Sequence, residues 1–138
     1  MSWDVMIFKT DGITKADELP SDFKAESLGD AEELRNRLNE LFRTIDWSDA
    51  KWGTYIGGGF SLEFNFRECG PVDSFMLHVR GGGDAISPIV VMCKHFGWRA
   101  FDCSTGEFLD LANPSFEGWV GFQRFRDKAI KRTIGEGN

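Results

Sequence analysis

Apolar and polar residues alternate along several short segments of the chain, and the alternation is clearest in residues 60–67. Phe60, Leu62, Phe64 and Phe66 fall on one face of that segment, while small or polar residues fall on the other. A period of two predicts a β-strand with one buried face and one solvated face. Five other segments have similar patterns and are also predicted strands: 3–9, 52–56, 73–80, 98–103 and 107–111.

Three longer stretches repeat apolar residues every three or four positions, which is the spacing of an amphipathic helix. The first is predicted to begin after Asp30, with Glu33 in the position that completes a capping box. The second is predicted to be capped by Asp84 and to end at Gly97, and the third follows the turn at 113–115. The stripes predicted to be buried are Ala31, Leu34, Leu38, Leu41, Phe42 and Ile45 in the first helix, Ile86, Ile89, Val90, Cys93 and Phe96 in the second, and Trp119, Phe122, Phe125, Ala129 and Ile130 in the third.

The order of these elements is β-α-β-β-β-α-β-β-α, and it predicts an α+β fold. We expect a mainly antiparallel sheet of about five to six strands with three helices against one face. The passage 73–103 predicts a right-handed parallel crossover through the second helix. A chain of 138 residues suits one domain, 1–138, in which 14–27 is an acidic loop and 133–138 a frayed tail.

The composition of the chain supports a compact core, and its charged residues are unevenly distributed along the sequence. The chain has 13 Phe and 5 Trp against 1 Tyr, so its aromatic residues are mostly apolar and suited to burial. Hydrophobic residues make up 41% of the chain, which excludes a disordered chain, and the net charge of -6 disfavours direct nucleic-acid binding. Residues 1–50 hold 12 acids and 6 bases, whereas residues 111–138 hold 3 acids and 5 bases. This polarity predicts a basic protein partner, although a solvated helix face and an acidic loop would also produce it.

Cysteine usage and the lack of long apolar segments indicate where the protein resides. Cys69, Cys93 and Cys103 form no Cys-x-x-Cys motif, so we expect free thiols in a reducing compartment and no structural metal. No cofactor motif is present either. The most apolar uncharged stretch, 85–93, is too short to cross a bilayer, and the first residues do not have the pattern of a signal peptide. We therefore expect a cytoplasmic protein with no membrane partner.

One candidate partner site follows the first helix. Asp46, Trp47, Asp49 and Trp52 place two indoles among acids in the predicted connection between the first helix and the next strand. Large aromatic anchors with a polar rim are typical of the energetic centre of a protein interface. The structural alternative is that both indoles close one end of the core.

A second candidate is the segment Arg80, Gly81, Gly82 and Gly83 between a predicted strand and the second helix. Glycines at a helix N-terminus let backbone amides approach an anion, and Arg80 would add a positive charge. The segment matches neither of the common glycine-rich phosphate motifs, and Asp84 would repel a phosphate. The alternative interpretation is a tight turn followed by an aspartate cap.

Catalytic motifs are absent from the sequence, so an enzyme is disfavoured. His78 lies in an alternating strand and His95 late in a helix, and neither belongs to a recognised Ser-His-Asp, Cys-His or zinc-protease pattern. An enzyme that used Asp102, Ser104 or His78 would require these residues to converge in one pocket. The sequence favours a binding protein.

Several segments of the chain resemble a family of small uncharacterised bacterial proteins. The segments that carry this resemblance are Met1-Ser2-Trp3-Asp4-Val5-Met6, residues 46–49, 75–84 and 97–102, and Thr105-Gly106-Glu107-Phe108. The second helix and the hairpin after it are also similar to immunity-type proteins of bacterial toxin systems. That similarity implies a binding protein without an active site, and it transfers no contact residues. The charge distribution itself predicts an acidic surface that acts on a basic protein, and a basic last helix that packs on the acidic half or contacts a second copy.

Overall fold

The computed structural model of the chain describes residues 2–10, 16–19, 21 and 23–136. Within these ranges it contains seven strands, three α-helices and one short 3-10 helix at Ala16–Glu18. The strands are β1 (Trp3–Phe8), β2 (Asp46–Asp49), β3 (Trp52–Ile56), β4 (Phe60–Asn65), β5 (Ser74–Gly81), β6 (Arg99–Asp102) and β7 (Glu107–Phe108). The helices are α1 (Ala31–Phe42), α2 (Ile86–Phe96) and α3 (Glu117–Glu136).

All seven strands form one sheet in the order β2-β3-β4-β5-β1-β6-β7, and every neighbouring pair is antiparallel. The predicted α+β class with three helices is therefore confirmed. The strand number is higher than predicted because residues 46–49, expected to be a connection, form β2. Their sequence has little strand preference, and pairing of Asp46 with Thr54 and of Asp49 with Trp52 defines the strand.

Strand β1 lies between β5 and β6 and is antiparallel to both. Consequently β5 and β6 are parallel to each other, as expected for the connection through α2. The N-terminal residues therefore join the meander β2–β5 to the hairpin β6–β7. This placement brings Ser2 and Asp4 next to parts of the chain that are distant in sequence.

One face of the sheet packs against the helices and forms the core. Leu62, Phe64, Leu77 and Val79 are fully buried there, as their alternation predicts. The helical residues buried with them are Ala31, Leu34 and Leu38 of α1 and Ile86, Ile89, Met92 and Cys93 of α2. Met92 takes a buried position where Val90 and Phe96 were predicted, and those two are only partly buried.

The helix ends differ in part from their predicted chemistry. Asp30 is the N-cap of α1 but makes no side-chain capping bond, and Glu33 forms an ion pair with Arg37 at 2.6 Å in place of a capping box. Asp84 is not the N-cap of α2 as predicted, because Ala85 takes that position. The Asp84 carboxylate instead accepts a hydrogen bond from the backbone N–H of Ser87 in the first turn. Gly97 ends α2 at φ 74°, as predicted for a left-handed C-terminal glycine.

Helix α3 is docked by its N-terminal part. Trp119 is 3% exposed and packs against Trp3 at a ring distance of 5.6 Å. Phe125 and Ile130, predicted to be buried, are 62% and 50% exposed, whereas Phe122, Arg126 and Ala129 on the same stretch of the helix are partly buried. The inward-facing side of α3 therefore differs from the predicted stripe. The helix includes residues 133–136, assigned to a frayed tail from the sequence, while 137 and 138 lie outside the described residues.

The predicted acidic loop at 14–27 is described in part. Besides the 3-10 helix, Glu26 forms an isolated antiparallel bridge with Lys9, and Phe23 packs edge-on against Phe8 at 5.8 Å. These contacts hold the segment over one end of the sheet face that the helices leave open. Residues 14, 15, 20 and 22 lie outside the described residues.

The docking of α3 leads to a prediction at two of its glycines. A Cβ at Gly118 would lie 1.9 Å from Asp102 Oδ2 and 2.9 Å from Trp3 Nε1, whereas a Cβ at Gly121 meets nothing within 4 Å. The Asp102 carboxylate is held by hydrogen bonds and cannot move aside. Gly118→Ala is expected to lower the free energy of unfolding by about 1–3 kcal/mol. The matched variant Gly121→Ala should raise it by up to about 1 kcal/mol, because alanine favours the helix. Urea denaturation of both variants measures the difference, and equal effects would contradict the described packing.

Candidate functional site

The two tryptophans of the first candidate site lie on opposite faces of the sheet. Trp47 faces the core, where its ring lies 5.4 Å from the ring of Phe66 and against Gly53, whose Cβ would come within 2.6 Å of the indole. Trp52 faces the open side and stacks on His78, with ring centres 5.1 Å apart and an interplanar angle of 14°. The structure therefore separates the two indoles that the sequence grouped together.

The acids of the same segment remain at the surface. Asp46 and Asp49 are exposed on β2, the terminal strand of the sheet. Asp46 Oδ1 accepts hydrogen bonds from the Ser48 hydroxyl and backbone N–H, which hold the pKa of Asp46 below its ordinary value. Asp49 Oδ1 accepts from the backbone N–H of Lys51 at 2.9 Å. The outer edge of the sheet thus carries two oriented carboxylates.

The glycines of the second candidate site pack against another turn of the protein. The Gly82 N–H donates to the Gly59 carbonyl at 2.7 Å. A Cβ at Gly81 or Gly83 would lie 2.5 Å from the carbonyl oxygen of Gly59 or Gly58, so both positions require glycine. Both also have positive φ, of 90° and 70°.

Side chains around this glycine segment are also engaged within the protein. Arg80 Nε donates to Glu63 Oε1 at 3.0 Å. The carbonyls of Gly81 and Gly83 accept hydrogen bonds from the Arg126 guanidinium and the Trp119 indole respectively. The pKa of Asp84 is lowered by its hydrogen bonds from Ser87, so a carboxylate occupies the start of α2. These contacts account for the glycines by packing and give no support to an anion site.

The residues considered for catalysis do not meet in one pocket. Asp102 is buried on the helix-covered face, where it accepts hydrogen bonds from the Trp3 indole at 3.0 Å and the Ser104 backbone at 2.8 Å. His78 lies on the open face among the polar positions of β5. His95 is exposed near the end of α2, with its ring edge against Phe96. The arrangement that an enzyme with Asp102 and His78 would require is therefore not formed.

Sequence reasoning missed a polar group formed by the first residues of the chain. His78 Nδ1 lies 2.8 Å from Asp4 Oδ1, and the Ser2 hydroxyl donates to the same Asp4 oxygen at 2.5 Å. Asp4 and His78 are direct partners in the register of β1 and β5, and Glu63 pairs with His78 on the other side. Alternation indicated that each side chain faces outward, but only the strand order brings them together.

A cleft of about 560 Å³ lies between the start of β1, the turn after β6 and the first turns of α3. Its walls include Asp4, Cys103, Glu117, Phe122 and Phe125. In this cleft the polar side chains of Ser2 and Asp4 lie near the aromatic side chains of Phe122 and Phe125 on α3. None of the sequence-predicted partner or anion residues lines it.

The environments of the cysteines bear on the chemistry of this region. Cys93 is buried in the core, and burial raises its pKa to about 12. Burial also raises the pKa of the Cys103 thiol, with smaller contributions from the negative charges of Asp4 and Asp102. Both thiols are therefore poor nucleophiles near neutral pH.

Within the described ranges, no group of three or more His, Cys, Asp or Glu side chains is arranged to hold a metal ion. In the same part of the chain, no helix is both long enough and apolar enough to span a bilayer.

A search for similar proteins finds no family model, curated protein or solved structure that matches the chain. The resemblance noted from the sequence remains a prediction. The function must be inferred from the surfaces themselves.

The cysteine environments predict the order of thiol alkylation by iodoacetamide at pH 8. Exposed Cys69 should react in the folded protein, and Cys93 should react only after unfolding. Cys103 should react more slowly in the folded protein than in the urea-unfolded chain, because its raised pKa reduces the thiolate fraction. Peptide mass spectrometry measures each rate. Equal rates for Cys103 in the folded and unfolded chains would refute the described environment.

Proposed function

We propose that this protein is a protein-binding module, of an immunity-like or regulatory kind, that recognises a basic partner through an acidic surface. The observation that carries the proposal is the edge strand β2, whose exposed Asp46 and Asp49 carboxylates flank the end of the sheet. A terminal strand presents backbone hydrogen-bonding groups to which an extended segment can pair. Carboxylates beside that edge favour a partner with Lys or Arg.

The two tryptophans support this surface in different ways. Trp47 packs beside Phe64 and Phe66 and anchors β2 to the core, so the edge is held in place. Trp52 continues the surface onto the open face, where its ring is fixed by stacking on His78. Asp46 and Asp49 supply the charge, and Trp52 supplies apolar area next to it.

Binding of a small anion or nucleotide at Arg80, Gly81, Gly82 and Gly83 has less support. The Gly82 amide and the Arg80 guanidinium donate to groups of the protein itself. We also propose a cytoplasmic location, which the free thiols of Cys69, Cys93 and Cys103 support.

The test is a binding comparison with variants that remove only charge. Asp46→Asn with Asp49→Asn keeps both side-chain acceptors for the local backbone while removing two negative charges. A partner isolated with the wild-type protein should bind this variant about three- to tenfold more weakly, mainly through slower association. The difference should shrink as salt is raised, because screening shortens the range of the interaction.

The matched control is Glu26→Gln with Glu107→Gln, which removes two exposed carboxylates from segments that pair with Lys9 and with β6. It should bind like the wild type in a surface-plasmon-resonance assay. Equal affinity of the β2 variant and the wild type would contradict the proposed surface. Recovery of only acidic partners would contradict the proposed charge complementarity.

A further inference from the structure

The cleft beside α3 has the dimensions of a binding site for a small group. Its volume of about 560 Å³ falls in the range of clefts that hold small ligands, roughly 300–1,000 Å³. Gly118 and Gly121 form part of its α3 side. Gly118 lets the helix approach the sheet closely, and Gly121 leaves open space where a side chain would stand.

One wall of the cleft is aromatic. Phe122 is held by parallel stacking on Trp119, with ring centres 5.6 Å apart and an angle of 13°. Phe125, one turn further along α3, is 62% exposed, so its ring is available to a molecule in the cleft. An exposed aromatic wall can contact an aliphatic chain or the positive end of a cation.

The charge of the cleft is negative. Asp4 and Glu117 line it, and none of the described lining residues is Lys or Arg. Arg126 of α3 lies over Phe122 at 5.9 Å and directs its guanidinium to Asp127 and the Gly81 carbonyl.

The position of the Asp4 carboxylate is fixed by its neighbours. The Ser2 hydroxyl and His78 Nδ1 both contact its Oδ1 atom, at 2.5 and 2.8 Å. The other oxygen, Oδ2, is not part of these two contacts. The raised pKa of Cys103 on the same wall, caused by burial and then by nearby carboxylates, is consistent with a local potential that opposes negative charge.

We propose that this cleft binds an organic cation, an ammonium or guanidinium group on an aliphatic stem, with the charge at Asp4 and Glu117 and the stem against Phe125. A cation of this kind can come from two sources: a free alkyl amine, or the Lys or Arg side chain of a peptide. The proposal does not depend on the function proposed for β2, because none of the residues of β2 lines this cleft.

The direct test is a titration of the full chain with matched small probes, in which binding is measured by NMR and by calorimetry. n-Pentylammonium is the cationic probe, n-pentanol its neutral counterpart, and acetyl-Gly-Arg-Gly-amide the peptide form. The ammonium should bind saturably at about millimolar concentration and at least tenfold more tightly than the alcohol. Tighter binding of the peptide identifies a side chain as the source, and tighter binding of the amine identifies a free ligand. Absence of saturation by both cations, or equal binding of pentanol, would overturn the proposal.

Variants locate the binding within the cleft. Asp4→Asn should weaken ammonium binding about tenfold, and Glu117→Gln or Phe125→Ala about threefold each. The last two alter exposed side chains, so they test the cleft even if Asp4→Asn disturbs the fold. Glu68→Gln and Phe116→Ala are the matched controls and should bind normally, since both side chains are exposed and lie outside the cleft lining.

The same titration separates this proposal from the one made for β2. The Asp46→Asn and Asp49→Asn variant should bind n-pentylammonium with wild-type affinity even where it loses its protein partner. Loss of ammonium binding in that variant, or in Glu68→Gln, would show that the cation responds to overall charge and would overturn the cleft assignment.

Discussion

The structure depends on strand β1 occupying the centre of the sheet between β5 and β6. Residues near the N-terminus thereby pair on both sides with segments about 70 and 95 positions further along the chain. This non-local pairing joins the hairpin β6–β7 to the meander β2–β5 in one sheet, and it closes long loops at an entropic cost. The cleft and the Asp4–His78 contact are both consequences of it.

A buried carboxylate, that of Asp102, completes this arrangement at the start of β1. Asp102 accepts hydrogen bonds from the Trp3 indole and from the backbone and hydroxyl of Ser104. These donors compensate for burying the charge, which would otherwise be costly. Trp3 in turn packs against Trp119, so the carboxylate, the first strand and the start of α3 are fixed relative to one another. The rigid floor of the cleft follows from that set of contacts.

Much of the fold was predictable because alternation and helical spacing report directly on burial. Phe60, Leu62, Phe64 and Phe66 alternated clearly, and three of these four are fully or nearly fully buried. The strand β2 was missed because its residues prefer turns and become a strand only by pairing with β3. Phe125 was misplaced since helical spacing identifies the apolar residues of a helix but not which of them face the rest of the protein. For the same reason the functional surfaces were only partly foreseen: sequence proximity grouped Trp47 with Trp52, and only the register could join Asp4 to His78.

The carboxylates of this protein differ in whether they are available to bind an external cation. The local environment of each carboxylate determines its availability, and the net charge of the chain does not show it. Asp102 is committed to the fold by its internal donors, and Asp84 is committed to the first turn of α2. Asp46 uses one oxygen, Oδ1, to hold its own turn while its side chain stays exposed on the sheet edge. Asp4 lies between these cases, since one oxygen is engaged by Ser2 and His78 and the residue still lines an open cleft. A cation approaching the protein therefore meets oriented charge at the β2 edge and at the cleft, whereas the acids engaged in internal hydrogen bonds contribute mainly to the field that attracts it.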